Sequence, residues 1–147
     1  MIELGDISNC DFGGAHLVWA RISPKKSENA TFAGAEGTDT DFRDGTFMNC
    51  DFSNAKFTKA DFRGATFGGG NGTKFRGAEL RLCIFGRIDI TRMDFDGADL
   101  TDAEIDKNSP GYESNLSAEQ RASMEKNESA YQNFDKPEEE ARTDEPS

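Results

Sequence analysis

Phenylalanine recurs every five residues in one stretch of this 147-residue chain. In "CDFSNAKFTKADFRGATF", from Cys50 to Phe67, it stands at positions 52, 57, 62 and 67. A strand that faces one core repeats every two residues and a helix repeats every 3.6, so neither matches this spacing. On a helix the rings would fan out by roughly 500° per step, and on a straight strand they would alternate between faces. The rings can share one interior only if the chain turns once in every repeat.

The five-residue spacing covers most of the chain and slips by three residues once, after Phe67. Eighteen of the twenty pentad centres are apolar, and eleven of the twelve phenylalanines are centres. A spacing this persistent identifies a repeat architecture. The centres are Ile7, Phe12, Leu17, Ile22, Ser27, Phe32, Gly37, Phe42, Phe47, Phe52, Phe57, Phe62, Phe67, Phe75, Leu80, Phe85, Ile90, Phe95, Leu100 and Ile105.

The positions around each centre are also regular. Two residues before it, Gly, Ala, Cys or Thr fills seventeen of twenty places, the exceptions being Lys25, Ile88 and Met93. Two residues after it, thirteen of twenty are Gly, Asn or Asp, which tolerate turn geometry. Each pentad is therefore predicted to be a short straight side followed by a corner.

The segments "CDFSN", "ADFRG", "GADLTDAEI" and "ATFGG" resemble the pentapeptide-repeat family. The resemblance covers about residues 5–107. It implies an all-β fold, the right-handed four-sided β-helix with four pentads per coil.

Stacking residues twenty apart, with the slip included, supports four pentads per coil. One side then carries an unbroken phenylalanine ladder, and the next carries alanine at the small position in all five coils. Five coils would make a column of roughly 24 Å at the ~4.8 Å spacing of strands. The predicted ladders are Phe12, Phe32, Phe52, Phe75 and Phe95, and Ala15, Ala35, Ala55, Ala78 and Ala98.

The side that begins at Ile7 collects the irregularities of the repeat. "KKSEN" (25–29) has Lys25 at a small position and Ser27 at a centre, and "GGGNG" (68–72) contains the slip. Function is often added where a repeat deviates, so Lys25, Lys26 and Asn71 become candidate contacts. The alternative is that both segments are tolerated insertions on surface loops.

The repeat ends near Lys107, which divides the chain into a β-helix at 1–107 and a linker at 108–116. Residues 117–134 are predicted to form a helix, because Ser117 and Gln120 make a capping-box pattern. Residues 135–147 are predicted to be a disordered acidic tail. We expect the helix to cover the last coil; the alternative is a homodimer contact.

The sequence offers no catalytic, metal or cofactor site. His16 stands at an outward position, and Cys10, Cys50 and Cys83 occupy inward small positions without ligand spacing. The glycines at 68–72 lack the following Lys-Ser or Lys-Thr of a phosphate loop. Most aspartates precede a centre and face solvent, where no pocket perturbs their ionisation. We therefore predict no cofactor and no enzyme.

Charge and composition bear on location. No segment suggests a membrane span or a signal peptide, and three unpaired cysteines fit a reducing compartment. The expected location is the cytoplasm, with no membrane partner.

The net charge of −11 is distributed in bands. Residues 1–55 have nine acids and four bases, residues 56–92 three acids and eight bases, and residues 93–107 six acids and one base. The central belt offers a contact for an acidic partner or nucleic acid, but ordinary charge alternation explains it. The sequence therefore does not predict direct nucleic-acid binding.

The resemblance also implies a function hypothesis, because the family includes DNA mimics that modulate type II topoisomerases. Mimicry needs an extended negative field, which the basic belt interrupts. The predicted partner surface of such a mimic comprises Asp11, Asp51, Asp94, Asp96, Asp99 and Asp102.

A second candidate surface lies in "HLVWARI" (16–22), where Val18 and Trp19 are predicted to point outward. An exposed tryptophan beside a valine is a plausible contact for a protein. The alternative function is accordingly a structural or self-associating scaffold that acts through its ends and the irregular side. A homodimer belongs to this alternative. A continuous negative stripe would favour mimicry, and a belted surface would favour the scaffold.

Overall fold

The computed structural model describes residues 5–70 and 72–125. The chain winds through five four-sided coils, and each side is too short for more than two or three residues of strand. We name the four sides by their first centres: the Ile7, Phe12, Leu17 and Ile22 sides. Coils 1 to 5 begin at Gly5, Lys25, Gly45, Ala65 and Ile88.

Parallel pairing between successive coils joins each side. The strands are β1 (Glu36–Thr38), β2 (Thr46–Met48), β3 (Lys56–Thr58), β4 (Thr66–Gly68), β5 (Thr73–Lys74), β6 (Ile84–Gly86), β7 (Met93–Asp94) and β8 (Glu104–Ile105). The parallel pairs are β1 with β3, β2 with β4, β5 with β7, and β6 with β8. Single bridges continue the pattern into coil 1, as between Asp11 and Thr31.

The register confirms four pentads per coil. Phe47 pairs with Phe67, and Thr73 pairs with Met93, each twenty residues on. Across the insertion the offset becomes 23, because Asp51 pairs with Lys74. The three extra residues are therefore accommodated at one corner, and the stacking continues beyond them.

Stacked rings fill the interior. In the predicted phenylalanine ladder, Phe52 lies parallel to Phe32 and Phe75, with 4.7 Å between ring centroids in both pairs. At the two ends of the ladder, the Phe12 ring stacks on Phe32 with 5.0 Å between centroids, and the Phe95 ring stacks on Phe75 with 5.5 Å. A second ladder of Phe42, Phe62 and Phe85 packs edge-on against the first. The column interior is thus solid, as the repeat predicts.

Left-handed backbone forms most corners. The residue two after the centre has positive φ in sixteen of the twenty pentads, including Asn9, Gly14, Asp44 and Gly97. This confirms the turn role assigned to the Gly, Asn and Asp positions. Trp19, Lys59 and Leu82 adopt the same conformation although their side chains do not favour it.

One expectation about the inward positions is wrong. Cys10 is exposed, because it lies in coil 1 and no preceding coil of described residues covers it. Lys25, a candidate contact, is exposed, and the neighbouring Pro24 is buried. Cys50 and Cys83 are buried as predicted. Ser27 is buried at its centre position, with its hydroxyl 3.1 Å from the Cys50 sulfur.

Two helices lie on the last coil. Helix α1 (Tyr112–Asn115) falls inside the predicted linker, which is therefore folded: Tyr112 and Leu116 at its ends are buried. Helix α2 (Ala118–Glu125) begins at the predicted capping box. Ser117 and Gln120 each accept a hydrogen bond from the other's backbone N–H, at 3.0 and 2.9 Å. The rest of the predicted helix, including Phe134, and the predicted tail lie outside the described residues.

The helices supply hydrogen-bond donors to the last coil. The Gln120 amide donates to the carbonyls of Phe95 and Ala98, and the Asn115 amide donates to those of Ile90 and Met93. Met124 is buried against the same end. Among residues 5–70 and 72–125, no helix has the length and apolar character needed to cross a bilayer.

Candidate interaction surface

The described residues contain no group that resembles a catalytic or metal centre. No three His, Cys, Asp or Glu side chains within 5–70 and 72–125 come together as metal ligands. The buried thiols are poor nucleophiles, because burial raises the pKa of Cys50 and raises that of Cys83 to about 12. His16 is exposed, with its Nδ1 atom 2.7 Å from Glu36. Any function of the described column therefore rests on its outer residues.

Three of the candidate aspartates stand in one row on the Phe12 side. The bridges run from Asp11 to Thr31, then to Asp51, Lys74 and, through β5 and β7, Asp94. Each carboxylate accepts a hydrogen bond from the N–H two residues later, which fixes its orientation; the Asp51 bond to Ser53 is 2.8 Å. The row is negative in coils 1, 3 and 5, and Lys74 interrupts it in coil 4.

Arg76 further neutralises the lower end of this row. Its guanidinium lies 2.9 Å from Asp94 and 3.0 Å from Asp96. Partial burial opposes ionisation of Asp94, but the Asp96 N–H and Arg76 outweigh it, and the pKa of the Asp94 carboxyl falls below its ordinary value. The arginine therefore balances part of the negative charge at this end of the row.

Asp99 and Asp102 lie on or beside the Leu17 side. Asp99 continues a row through His16, Glu36, Lys56 and Glu79. The Thr101 hydroxyl and N–H donate to the Asp99 carboxylate and lower its pKa. Asp102 occupies the following corner, with φ of 57°.

The Ile22 side is likewise mixed in charge. Its aspartates, Asp41 and Asp61, contact arginines: Arg43 lies 2.9 Å from Asp41, and Arg63 lies 2.7 Å from Asp61. The hydrogen bond from Arg43 lowers the pKa of Asp41 most strongly. The rows on the Phe12, Leu17 and Ile22 sides thus contain basic or neutral residues among the acidic ones. None of the three is a continuous negative stripe, so the surface is of the belted kind.

Val18 and Trp19 are the exposed large hydrophobic residues of the described chain. Their exposed fractions are 56% and 77%, which confirms the outward orientation predicted for both. They are adjacent, and they lie at the corner between the Leu17 and Ile22 sides of coil 1. This places a small apolar patch at the rim of the first coil.

The backbone at Trp19 is unfavourable for its residue type. Its φ is 62°, in the left-handed region that costs a residue with a Cβ roughly 1–2 kcal/mol. The other coils place non-glycine residues in the same conformation at this corner. They are Asp39, Lys59, Leu82 and Asp102. The left-handed backbone is thus a property of this corner in all five coils, and what distinguishes Trp19 is the exposure of its ring.

The irregular Ile7 side presents two other candidate contacts. Lys25 and Lys26 are both exposed, and Lys26 bridges to Asp6 of coil 1. Asn71 lies outside the described residues. The neighbouring insertion is held by Arg92, whose guanidinium donates to the carbonyls of Gly69 and Gly70 at 2.7 and 2.9 Å. The sequence did not single out Arg92, because its partners lie 22 and 23 residues away.

A groove of about 960 Å³ lies between coil 5 and the two helices. Its polar lining includes Arg92, Asp94, Asp96, Asn115 and Gln120. These side chains already bond backbone carbonyls or Arg76. These five side chains are therefore engaged in holding the junction of coil 5, the insertion and the helices, and the groove does not resemble a catalytic pocket.

The comparisons with known proteins agree with this geometry. The pentapeptide-repeat family model matches residues 38–71 and 46–87, with eight copies of the repeat. Residues 38–87 of this chain therefore consist of pentapeptide repeats. No curated protein matches it at a significant level.

Solved pentapeptide-repeat structures resemble the column. A pentapeptide repeat protein of the Arabidopsis thaliana thylakoid lumen is 24% identical with a TM-score of 0.50; the match covers 80% of this chain and 72% of that one. Rfr23 from the cyanobacterium Cyanothece 51142 is 17% identical, with coverage of 74% and 85% and a TM-score of 0.38. HetL from Nostoc sp. strain PCC 7120 is 17% identical, with coverage of 75% and 56% and a TM-score of 0.37. The likeness to the first of these shows the β-helical fold.

Proposed function

We propose that this pentapeptide-repeat protein is a non-enzymatic column that binds another protein chain through the rim of coil 1. The observation that carries the proposal is the pair Val18 and Trp19, the exposed large hydrophobic residues of the described chain, which lie together at one corner. An apolar aromatic side chain on a rigid support is the typical anchor of a protein interface. The described outer carboxylates with shifted pKa values, among them Asp41, Asp94 and Asp99, all have lowered values. A lowered pKa does not suit a general acid or base at neutral pH, and this favours binding over catalysis.

The experiment uses matched variants at one corner. Trp19→Asn removes the ring and suits the left-handed backbone, so the column should remain folded. Lys59→Asn makes the same backbone change at the same corner two coils away, and serves as the control. We expect immobilised wild type and Lys59→Asn to retain the same partner chain, and Trp19→Asn to lose it. Equal retention by all three proteins would refute the proposal.

The second candidate function is modulation of a type II topoisomerase by DNA mimicry. It is favoured by the alignment of Asp11, Asp51 and Asp94 in one row. Lys74 within that row and Arg76 beside it oppose mimicry, which requires an uninterrupted field. We therefore expect no inhibition of gyrase supercoiling at micromolar excess. Inhibition that disappears in Asp51→Asn would reverse this preference and support the mimic.

A further inference from the structure

The two ends of the column differ in how their apolar residues are covered. In coil 5, Phe95, Ala98, Leu100 and Ala103 are all buried beneath or beside the helices. Their counterparts in coil 1 are only half-buried; these are Phe12, Ala15, Leu17 and Ala20. The other two centres of coil 1, Ile7 and Ile22, are buried. Coil 1 therefore presents a partly exposed apolar surface along its Phe12 and Leu17 sides, with Val18 and Trp19 at its rim.

The backbone of coil 1 is paired toward coil 2 only, as far as the described residues extend. Phe12 and Leu17 donate to the carbonyls of Thr31 and Glu36. An inner coil bonds in both directions, as Thr31 donates to Cys10 while Phe32 donates to Asp51. On the outer edge of coil 1 no backbone bond joins two described residues. Such an edge is a template for another strand.

We propose that the end of coil 1 binds a second copy of this chain, head to head about a twofold axis. This inference rests on the proposed function and names its partner. A second copy offers the matching surface: another four-sided end with the same half-buried apolar residues and the same strand edge. A twofold contact uses the same patch on both chains, so the interface closes at a dimer.

The charges of coil 1 select one orientation of the axis. The outward position before the centre holds Asp6, Asp11, His16 and Arg21 on the four sides in turn. An axis through the corner between the Phe12 and Leu17 sides brings Asp11 near His16 of the second copy, and Asp6 near Arg21. The other three symmetric arrangements bring like charges together. Diagonal neighbours on antiparallel strands lie about 7–8 Å apart, within reach of long side chains.

The same orientation accounts for the exposed corner. It places Trp19 of one copy over the corner of Asn9 and Cys10 of the other, because the twofold axis exchanges those corners. Cys10 is the exposed cysteine, whereas Cys50 and Cys83 are buried. The His16 Nδ1 atom is engaged by Glu36, which leaves its Nε2 atom to face Asp11 of the second copy.

Charge exchange tests the inference. Light scattering over a concentration series should show a species of twice the 16.1 kDa chain mass. Arg21→Glu should weaken the dimer roughly tenfold by placing like charges together, and Asp6→Arg combined with Arg21→Glu should restore it. Arg87→Glu makes the same charge change on coil 4, away from the proposed contact, and should have no effect. A monomeric mass at millimolar concentration, or a double variant no tighter than Arg21→Glu, would overturn the proposal.

Alkylation of Cys10 gives an independent readout. Iodoacetamide should modify one of the three thiols in dilute wild type, and this reaction should slow as the protein concentration rises. In Arg21→Glu the alkylation rate should not change with protein concentration. A concentration-independent rate in wild type would contradict the proposed dimer. If the wild type is monomeric while Trp19→Asn loses a captured protein, the proposed function stands and this inference falls.

Discussion

Replacement of one ring in the phenylalanine ladder tests whether stacked coils stabilise the fold as argued. Phe52 is fully buried, stacks on Phe32 and Phe75 at 4.7 Å, and meets the Phe42 and Phe62 rings edge-on. A Phe→Ala change in a packed core costs about 3–5 kcal/mol. Because each stacked pair is worth about 0.5–1.5 kcal/mol beyond its buried area, we expect Phe52→Ala at the upper end of that range.

Phe12→Ala is the matched control, because Phe12 belongs to the same ladder but has one stacking partner and is half-buried. Its cost should be less than half that of Phe52→Ala, or about 1–2 kcal/mol. Urea unfolding followed by circular dichroism gives both values. Equal losses for the two variants, or a loss below about 1 kcal/mol for Phe52→Ala, would refute the idea that each coil depends on neighbours on both sides.

Three further predictions concern single side chains. The folded pKa of Cys83 is about 12 against an ordinary value of 9.0, so its contribution to stability is complete below pH 9.0 and lost as pH rises toward 12. Wild type should therefore lose about 1.4 kcal/mol more per pH unit in this window than Cys83→Ala, as measured by urea unfolding at each pH. Gln120→Ala should cost about 2 kcal/mol, because it removes a capping bond and two bonds to coil 5; Gln120→Glu keeps the cap and should lose only part of this in the same assay. Arg92→Ala should accelerate amide exchange at residues 69–72 without shifting the urea midpoint, because its bonds reach only the carbonyls of Gly69 and Gly70.

The repeat could be predicted from the sequence because every inner coil offers the same environment at the same position. Phe32, Phe52 and Phe75 each lie between two like rings, so selection for one residue type leaves a visible period. The sequence cannot show where this equivalence ends. Cys10 occupies a small position like that of Cys50, yet it is exposed because coil 1 is covered on one side only by described residues.

Contacts between distant segments account for most of what the sequence did not indicate. The cap formed by Ser117 and Gln120 is local, so the sequence pattern predicts it. The hydrogen bonds from Gln120 to the carbonyls of Phe95 and Ala98 span more than twenty residues, and no local pattern indicates them. Helix α1 has only four residues, too few for a periodic signal. The left-handed backbone at Trp19, Lys59 and Leu82 follows from their place in a corner column, against their own preferences.

The asymmetry of the ends bears on how such a column can associate. A four-sided coil stack with two open ends would extend head to tail into a fibre, because each end would continue the strand ladders of the other. Here the amides of Asn115 and Gln120 occupy carbonyls of coil 5, and Leu116 and Met124 bury its apolar end. That end cannot accept another coil unless the helices leave it. Contact between two coil 1 ends therefore leaves only covered ends outward, and growth stops at two chains. A mixture that forms longer oligomers only when the helices are destabilised, as by Gln120→Ala, would show that this cover is what limits association.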